Sequence, residues 1–279
     1  MSTDPMCGPG PMGVRWSPGR VESDGESIYY EVSGDEGATT VVLGHGAGGS
    51  HAAWFQQVPV LTAAGYRVVT WDTRGFGCST CATDVLDVPA SVRDLTRVLD
   101  AAGVDEAVIV GQSMGGWWAG GFAMAVPERT KALVLANTVG GLWTDGLRAH
   151  FATLTADAGG DGSEVGAHPA LDDTLRERDP ALAFLYQQLN TFHTPPMHLV
   201  VGSLGRDPIA HDAMRALPMP KLWITASNDP LFPAALVRES AERIGARFEV
   251  IDGAGHSPYF ERADAWNEVL VDFLGTIAR

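Results

Sequence analysis

The sequence predicts an α/β protein, in which a mostly parallel central sheet is covered by helices on both faces and interrupted by one helical insertion. Three observations lead there. Short runs rich in Val, Ile, Leu and Trp recur at residues 40–43, 68–71, 107–110, 132–136, 221–226 and 248–251, separated by segments of helix length. The run at 107–110 passes through Gly111-Gln112-Ser113-Met114-Gly115 into a helix-like segment, the strand–turn–helix setting in which a serine is exposed. The rhythm then breaks once, between Val139 and about Pro218, where the chain turns polar and no comparable strand-like run occurs.

Taken in order, residues 1–13 are rich in Gly and Pro and lack the apolar core of a signal peptide, so a disordered tail on a cytoplasmic protein is expected. Residues 14–32, followed by Gly34, read as one or two antiparallel edge strands. Residues 91–102 carry the helical repeat, with Val92, Leu95, Val98 and Leu99 on one face. The helix expected over 114–126 stops before Pro127, whose ring cannot continue it. Within the break, Leu182, Leu185, Tyr186 and Leu189 recur at helical spacing, between Gly-rich 158–166 and Pro-rich 194–196. The expected organisation is therefore a core of 14–139 and 217–279, with a helical lid insertion at 140–216.

A formal net charge of −15 repels a phosphate backbone or an anionic membrane surface, which argues against both as partners and leaves a small-molecule substrate. No run approaches the roughly 20 apolar residues needed to span a bilayer. Three cysteines make no disulfide framework, and the Cys78–Cys81 spacing lacks the second pair or nearby His ligands of a zinc site. No metal or cofactor is expected.

A serine hydroxyl needs a base to take its proton, and the base needs an acid to orient it. Ser113 is the candidate nucleophile, flanked by Gly111 and Gly115 because its strained turn leaves no room for bulky neighbours. Of the eight histidines, His256 lies beyond the insertion, in the loop after the run 248–251, where open α/β sheets bind their ligands. Asp229 follows the run 221–226 in a loop stiffened by Pro230 and Pro233, and is the candidate acid. Asp252 is too close to His256 in sequence to approach its ring easily, and Asp145 lies well beyond Ala136. An oxyanion requires pre-placed N–H donors: one is expected from Met114 at its helix start. The other is expected from Gly44-His45-Gly46-Ala47-Gly48-Gly49-Ser50, a loop without the Gly-Lys-Ser/Thr ending of a phosphate cradle.

With these residues in place, the chain resembles an α/β-hydrolase of the lidded serine esterase and enol-lactonase group over nearly its whole length after the tail. His45-Gly46-Ala47-Gly48-Gly49 is similar to the family's oxyanion loop, Asp72-Thr73-Arg74-Gly75-Phe76-Gly77-Cys78-Ser79 to its Asp-x-Arg-Gly-x-Gly-x-Ser turn, and residues 111–115 to its nucleophile elbow. The resemblance implies Ser113, Asp229 and His256 as nucleophile, acid and base, the N–H groups of Ala47 and Met114 as oxyanion hole, and a structural task for Asp72 and Arg74. It implies an ester or lactone substrate ahead of a carbon–carbon bond hydrolase, whose oxyanion loop usually carries a Pro near Gly48 or Gly49, and a binding protein that kept the fold is the non-enzymatic alternative. Trp117, Phe184, Tyr186, Phe192 and His193 are the candidate substrate-binding residues, and Arg148, Arg176 and Arg178 are the cations available to hold a carboxylate.

Overall fold

The computed structural model describes residues 14–82, 85–154, 164–192, 194–204, 206 and 208–277; the tail expected at 1–13 lies outside them. The strands are β1 (Trp16–Ser23), β2 (Glu26–Ser33), β3 (Thr40–Gly44), β4 (Arg67–Trp71), β5 (Ala107–Gln112), β6 (Thr130–Ala136), β7 (Lys221–Ala226) and β8 (Arg247–Ile251). They form one sheet in the order β1-β2-β4-β3-β5-β6-β7-β8. From β4 to β8 every pairing is parallel, while β1 and β2 join antiparallel at one edge. Strand order reverses at β3, between β4 and β5, and at such a point the loops leaving neighbouring strand ends part and open a crevice.

Successive residues of a strand face opposite sides, so apolar runs buried on both sides supply two cores. Val42, Val69, Ile109, Leu133 and Trp223 point to one, and Val41, Val68, Val108, Val134 and Leu222 to the other. Helices α1 (Gln57–Ala63), α2 (Val88–Ala101) and α3 (Gly115–Ala125) fall in the first half of the chain. The expected face of α2 is the one buried, with Leu95, Val98 and Leu99 fully covered, and Asp87 accepts the Ala90 N–H to cap its start.

Between β6 and β7 lie α4 (Asp145–Leu154), α5 (Asp173–Arg178), α6 (Pro180–Leu189), α7 (Met197–Leu204) and α8 (His211–Ala216). The residues at helical spacing do fall on a helix, α6, but not all on its covered side. Ala183 and Tyr186 are buried, Tyr186 against Phe260 and His168, while Leu182 and Leu189 are half-buried and Leu185 is exposed. Helices α4 and α8 instead pack on α9 (Ala234–Ile244). The chain closes with α10 (Pro258–Glu261) and α11 (Ala263–Gly275), the latter burying Trp266, Leu270 and Phe273 on the α1 side of the sheet.

Candidate active site

Strand β5 ends at Gln112 and α3 begins at Gly115, so Ser113 and Met114 must turn the chain at the carboxyl edge of the sheet. Ser113 does so with φ of +50°, a left-handed conformation that costs a residue with a side chain on the order of 1–3 kcal/mol. The surroundings hold it there: its N–H donates to Ala136 O at 2.9 Å and its carbonyl accepts the Thr138 hydroxyl at 2.6 Å. Glycine at 115 is required by close approach, since a Cβ there would lie 2.6 Å from Gly44 O.

Ser113 Oγ is 2.8 Å from His256 Nε2, and His256 Nδ1 lies 3.0 and 3.1 Å from the two oxygens of Asp229. An ionised carboxylate only accepts, so Nδ1 carries the imidazole proton and Nε2 is left to accept from the serine hydroxyl. Asp229 is itself fixed by its own loop. Oδ1 accepts the N–H groups of Leu231 and Phe232 at 2.9 and 3.0 Å, and Oδ2 accepts Asn137 Nδ2 at 2.9 Å. The turn-forming role of an Asp before Pro and its contact with His256 therefore coexist in one side chain. Burial pushes the Asp229 carboxyl up, but the neighbouring His256, the Asn137 amide and the Phe232 N–H outweigh that and hold it below its ordinary value. From the other side, Gln112 Nε2 donates to the His256 carbonyl at 3.1 Å, tying the residue before the serine to the loop of the histidine.

The loop after β3 closes the site from above. His45 is buried, its Nδ1–H donates to Gly46 O at 2.8 Å, and its Nε2 accepts the Thr73 N–H at 3.1 Å. Burial lowers its pKa, which suits a ring that must be neutral to donate from one nitrogen and accept at the other. A Cβ on Gly46 would lie 3.0 Å from Ser113 Cβ, so the loop backbone passes directly over the elbow. Among the described residues, neither the Ala47 nor the Met114 amide donates to a protein acceptor. Beneath the loop, Asp72 accepts the N–H groups of His51 and Cys78 at 2.6 and 2.8 Å, and the buried Arg74 grips Asp94 through two bonds of 2.7 and 2.6 Å.

Residues 39–263 match the family model described as alpha/beta hydrolase fold. The chain belongs to the α/β-hydrolase family. It is 30% identical over 263 residues to a protein of Azorhizobium caulinodans named "Putative carbamate hydrolase RutD", covering 90% of this chain and 96% of that one. It is also 30% identical over 276 residues to the 2-hydroxy-6-oxononadienedioate/2-hydroxy-6-oxononatrienedioate hydrolase of Paraburkholderia xenovorans LB400, covering 91% and 92%. The enol-lactonase structure from Burkholderia xenovorans LB400 superposes with a TM-score of 0.74 at 23% identity, over 92% of this chain and all (100%) of that one, a likeness of fold.

In this α/β-hydrolase, the residues expected to bind substrate are scattered. Tyr186 comes to the site, buried, with its hydroxyl 2.7 Å from Ser257 Oγ beside His256. Trp117 is buried against Trp143 and Phe232, and with Met114, Phe76, Val200 and Leu204 it lines a cavity of about 10 Å³. Phe184 and Phe192 lie further out. They are 42% and 54% exposed and line neither this cavity nor the second, also about 10 Å³, formed by Gly46, Ala47, Gln112, Tyr186, Asn190 and Tyr259. Helix α6 turns Ala183 and Tyr186 inward, and residue 184 then faces out. His193 lies outside the described residues.

Two residues at the site escaped the sequence reading. Asn137 directly follows β6, is fully buried with φ of +45°, and holds Asp229. An Asn at a strand end is a local signal for a left-handed turn, but nothing local tells which side chain its amide meets. His168 rests edge-on against Tyr186, and its Nδ1 accepts the Ala170 N–H at 3.1 Å. Burial and the nearby His256 lower its pKa, so the insertion brings a neutral ring near the site. Among the described residues, no group of three or more His, Cys, Asp or Glu is arranged to hold a metal ion, and no helix is long and apolar enough to cross a membrane.

Proposed function

We propose that this α/β-hydrolase is a serine hydrolase that cleaves a small or medium, mostly uncharged ester or lactone through an acyl-enzyme on Ser113. The observation that carries the reading is the continuous chain from Ser113 Oγ through His256 to Asp229, with contacts of 2.8 and 3.0 Å. His256 Nε2 takes the hydroxyl proton as Ser113 Oγ attacks the carbonyl carbon. Asp229 holds the ring in the required tautomer and stabilises the imidazolium. The oxyanion is received by the Ala47 and Met114 amides, which spend no energy breaking other bonds to do so. His256 then returns the proton to the leaving oxygen, and water repeats the sequence on the acyl-enzyme.

An uncharged substrate is supported by the condition of the nearby cations. Arg74 is committed to Asp94, Arg176 to Glu164 and Arg178 to the Glu261 carbonyl, while Arg148 lies over the Trp143 ring. Residues of α6 and α7 line the two cavities beside the elbow and the oxyanion loop, which supports reading the insertion as a lid that moves to admit substrate.

The second reading is hydrolysis of a carbon–carbon bond in a dicarbonyl or dienone. The relative from P. xenovorans favours it; the oxyanion loop, with glycine at 48 and 49, favours the ester. Two measurements test the proposal. A fluorophosphonate should label the wild type and not Ser113→Ala, and lack of labelling beside a reactive control enzyme would return the chain to a binding role. A panel of p-nitrophenyl esters, lactones and β-diketones should then favour the first two; efficient diketone cleavage with negligible ester turnover would reverse the order.

A further inference from the structure

Glu261 is buried at the end of α10, five residues past His256, and takes no part in the proton path described above. Its Oε1 accepts the N–H groups of Gly255 at 3.0 Å and Ser257 at 3.2 Å, the amides on either side of His256. Its Oε2 accepts the N–H of Asp172 at 2.7 Å, which belongs to the insertion. One carboxylate thus ties the loop of the base to the segment that leads into α5 and α6.

Other contacts converge on the same joint. Asp172 accepts Asn228 Nδ2 at 2.8 Å, and Asn228 is the neighbour of Asp229, its own N–H bonded to Ala254 O at 3.0 Å. Arg178 of α5 donates to the Glu261 carbonyl at 2.8 Å. Tyr186 of α6 meets Ser257 Oγ at 2.7 Å. The backbones are close enough that a Cβ on Gly255 would lie 2.7 Å from the Asp172 nitrogen. Burial pushes the Glu261 carboxyl above its ordinary value, and the amides of Asp172, Gly255 and Ser257 recover only part of that cost. An apolar side chain would avoid the cost altogether but would release three amides.

We infer that Glu261 is a positioning residue that locks the insertion to the His256 loop, so that seating the insertion over the site and setting the base against Ser113 are a single event. The inference rests on the serine-hydrolase reading for its kinetic consequence, but not for its structural one. Closure fixes Asp172, Asp172 is held by Oε2, and Oε1 on the same rigid carboxylate holds the two peptide planes that orient the imidazole. A shift near 1 Å in such a group costs about 10²-fold in rate.

The test uses Glu261→Gln and Glu261→Ala in the full chain. Glu261→Gln keeps the volume and one accepting oxygen, but its amide nitrogen must face a backbone N–H on one side. Hydrogen exchange is read at peptides covering 168–176 and 252–258, with 107–118 as reference. Faster exchange in the first two together, with the reference unchanged, is expected in Glu261→Gln; acceleration in one alone would overturn the coupling, whether or not the chain proves to be a hydrolase. Turnover of a p-nitrophenyl ester is then expressed per site titrated by fluorophosphonate, which removes any unfolded fraction from the count. A fall in kcat per titrated site of about 10- to 100-fold is expected, larger than the change in KM. Unchanged kcat per titrated site in both variants would leave Glu261 a merely structural residue and refute the inference. Coupled acceleration in Glu261→Gln beside a wild type that never labels would count against the serine-hydrolase reading instead.

Discussion

Replacing Asp229 by Asn should cripple turnover while sparing the fold, and the hydrogen bonds around it say why. Oδ1 serves the Leu231 and Phe232 N–H groups, which only an oxygen can accept, so the new amide nitrogen must take the place of Oδ2. There it faces Asn137 Nδ2 and His256 Nδ1, both donors. The first conflict has a remedy, because Asn137 Oδ1 is buried without a partner and a flip of that amide presents it to the new nitrogen. The second leaves Nδ1 only its 3.1 Å contact with Oδ1, which already serves two backbone N–H groups, and is fully relieved when the imidazole proton moves from Nδ1 to Nε2. The flip leaves the Asn137 amide nitrogen where its oxygen had no partner, a modest stability loss, but Nε2 now points a proton at Ser113 Oγ and cannot accept one. A wrong tautomer of this kind costs about 10⁴-fold in kcat in a serine hydrolase, or about 5 kcal/mol of barrier. The assay is kcat on a p-nitrophenyl ester at pH 7.5, with thermal melting alongside. Asp252 is exposed, and Asp252→Asn should be nearly silent. If Asp229→Asn retains more than a tenth of wild-type turnover, or Asp252→Asn proves the damaging change, the assignment of the acid is wrong.

Asn137→Ala removes the amide from Asp229 Oδ2 and places a Cβ-bearing residue without a polar group at φ of +45°, whereas Asn137→Gly removes the amide but relaxes the backbone. Both should lower kcat, and Ala should melt lower than Gly; wild-type kcat in the glycine variant would show that the Asn137–Asp229 bond is idle. His51 bridges Asp72 and Glu31, and although burial opposes it, the bond and charge of Asp72 with the charge of Glu31 raise its pKa above 6.5. The folded state thus holds the proton more tightly than the unfolded one, so this contribution is fully present below pH 6.5 and is lost as pH rises through the raised value. The melting temperatures of wild type and His51→Gln should accordingly converge between pH 6 and 9; a gap that widens would reverse the sign assigned here. Gly115→Ala drives a methyl to within 2.6 Å of Gly44 O and 2.8 Å of His45 O, and should destabilise by about 1–3 kcal/mol in urea unfolding while separating the elbow from the oxyanion loop. Wild-type stability and labelling in that variant would contradict the close packing of the two.

What the sequence determined by itself is whatever local chemistry dictates. Apolar runs long enough for a strand and bounded by glycine and polar residues are buried on both faces in β3, β5 and β7, and half-covered at the edge in β8; β7 matches its expected limits and the others shift by one or two residues. The elbow was legible because a strained serine turn demands glycine at 111 and 115, and the histidine and aspartate because they sit at the ends of strands whose carboxyl edges line one crevice. The inward face of α6 was not legible, since helical spacing states that a face is apolar but not how much surface awaits it; Phe260, His168 and Ser257 receive Tyr186, and Leu185 and Phe184 stay outside. Asn137 and Glu261 were beyond reach for a different reason. Asn137 meets Asp229, 92 residues away, and Glu261, besides the nearby Gly255 and Ser257, meets Asp172, 89 residues away. A hydrogen bond between groups so distant in sequence has no period, spacing or propensity to announce it, and only the folded chain, by bringing strand ends and insertion to one edge of the sheet, decides which buried donor meets which acceptor.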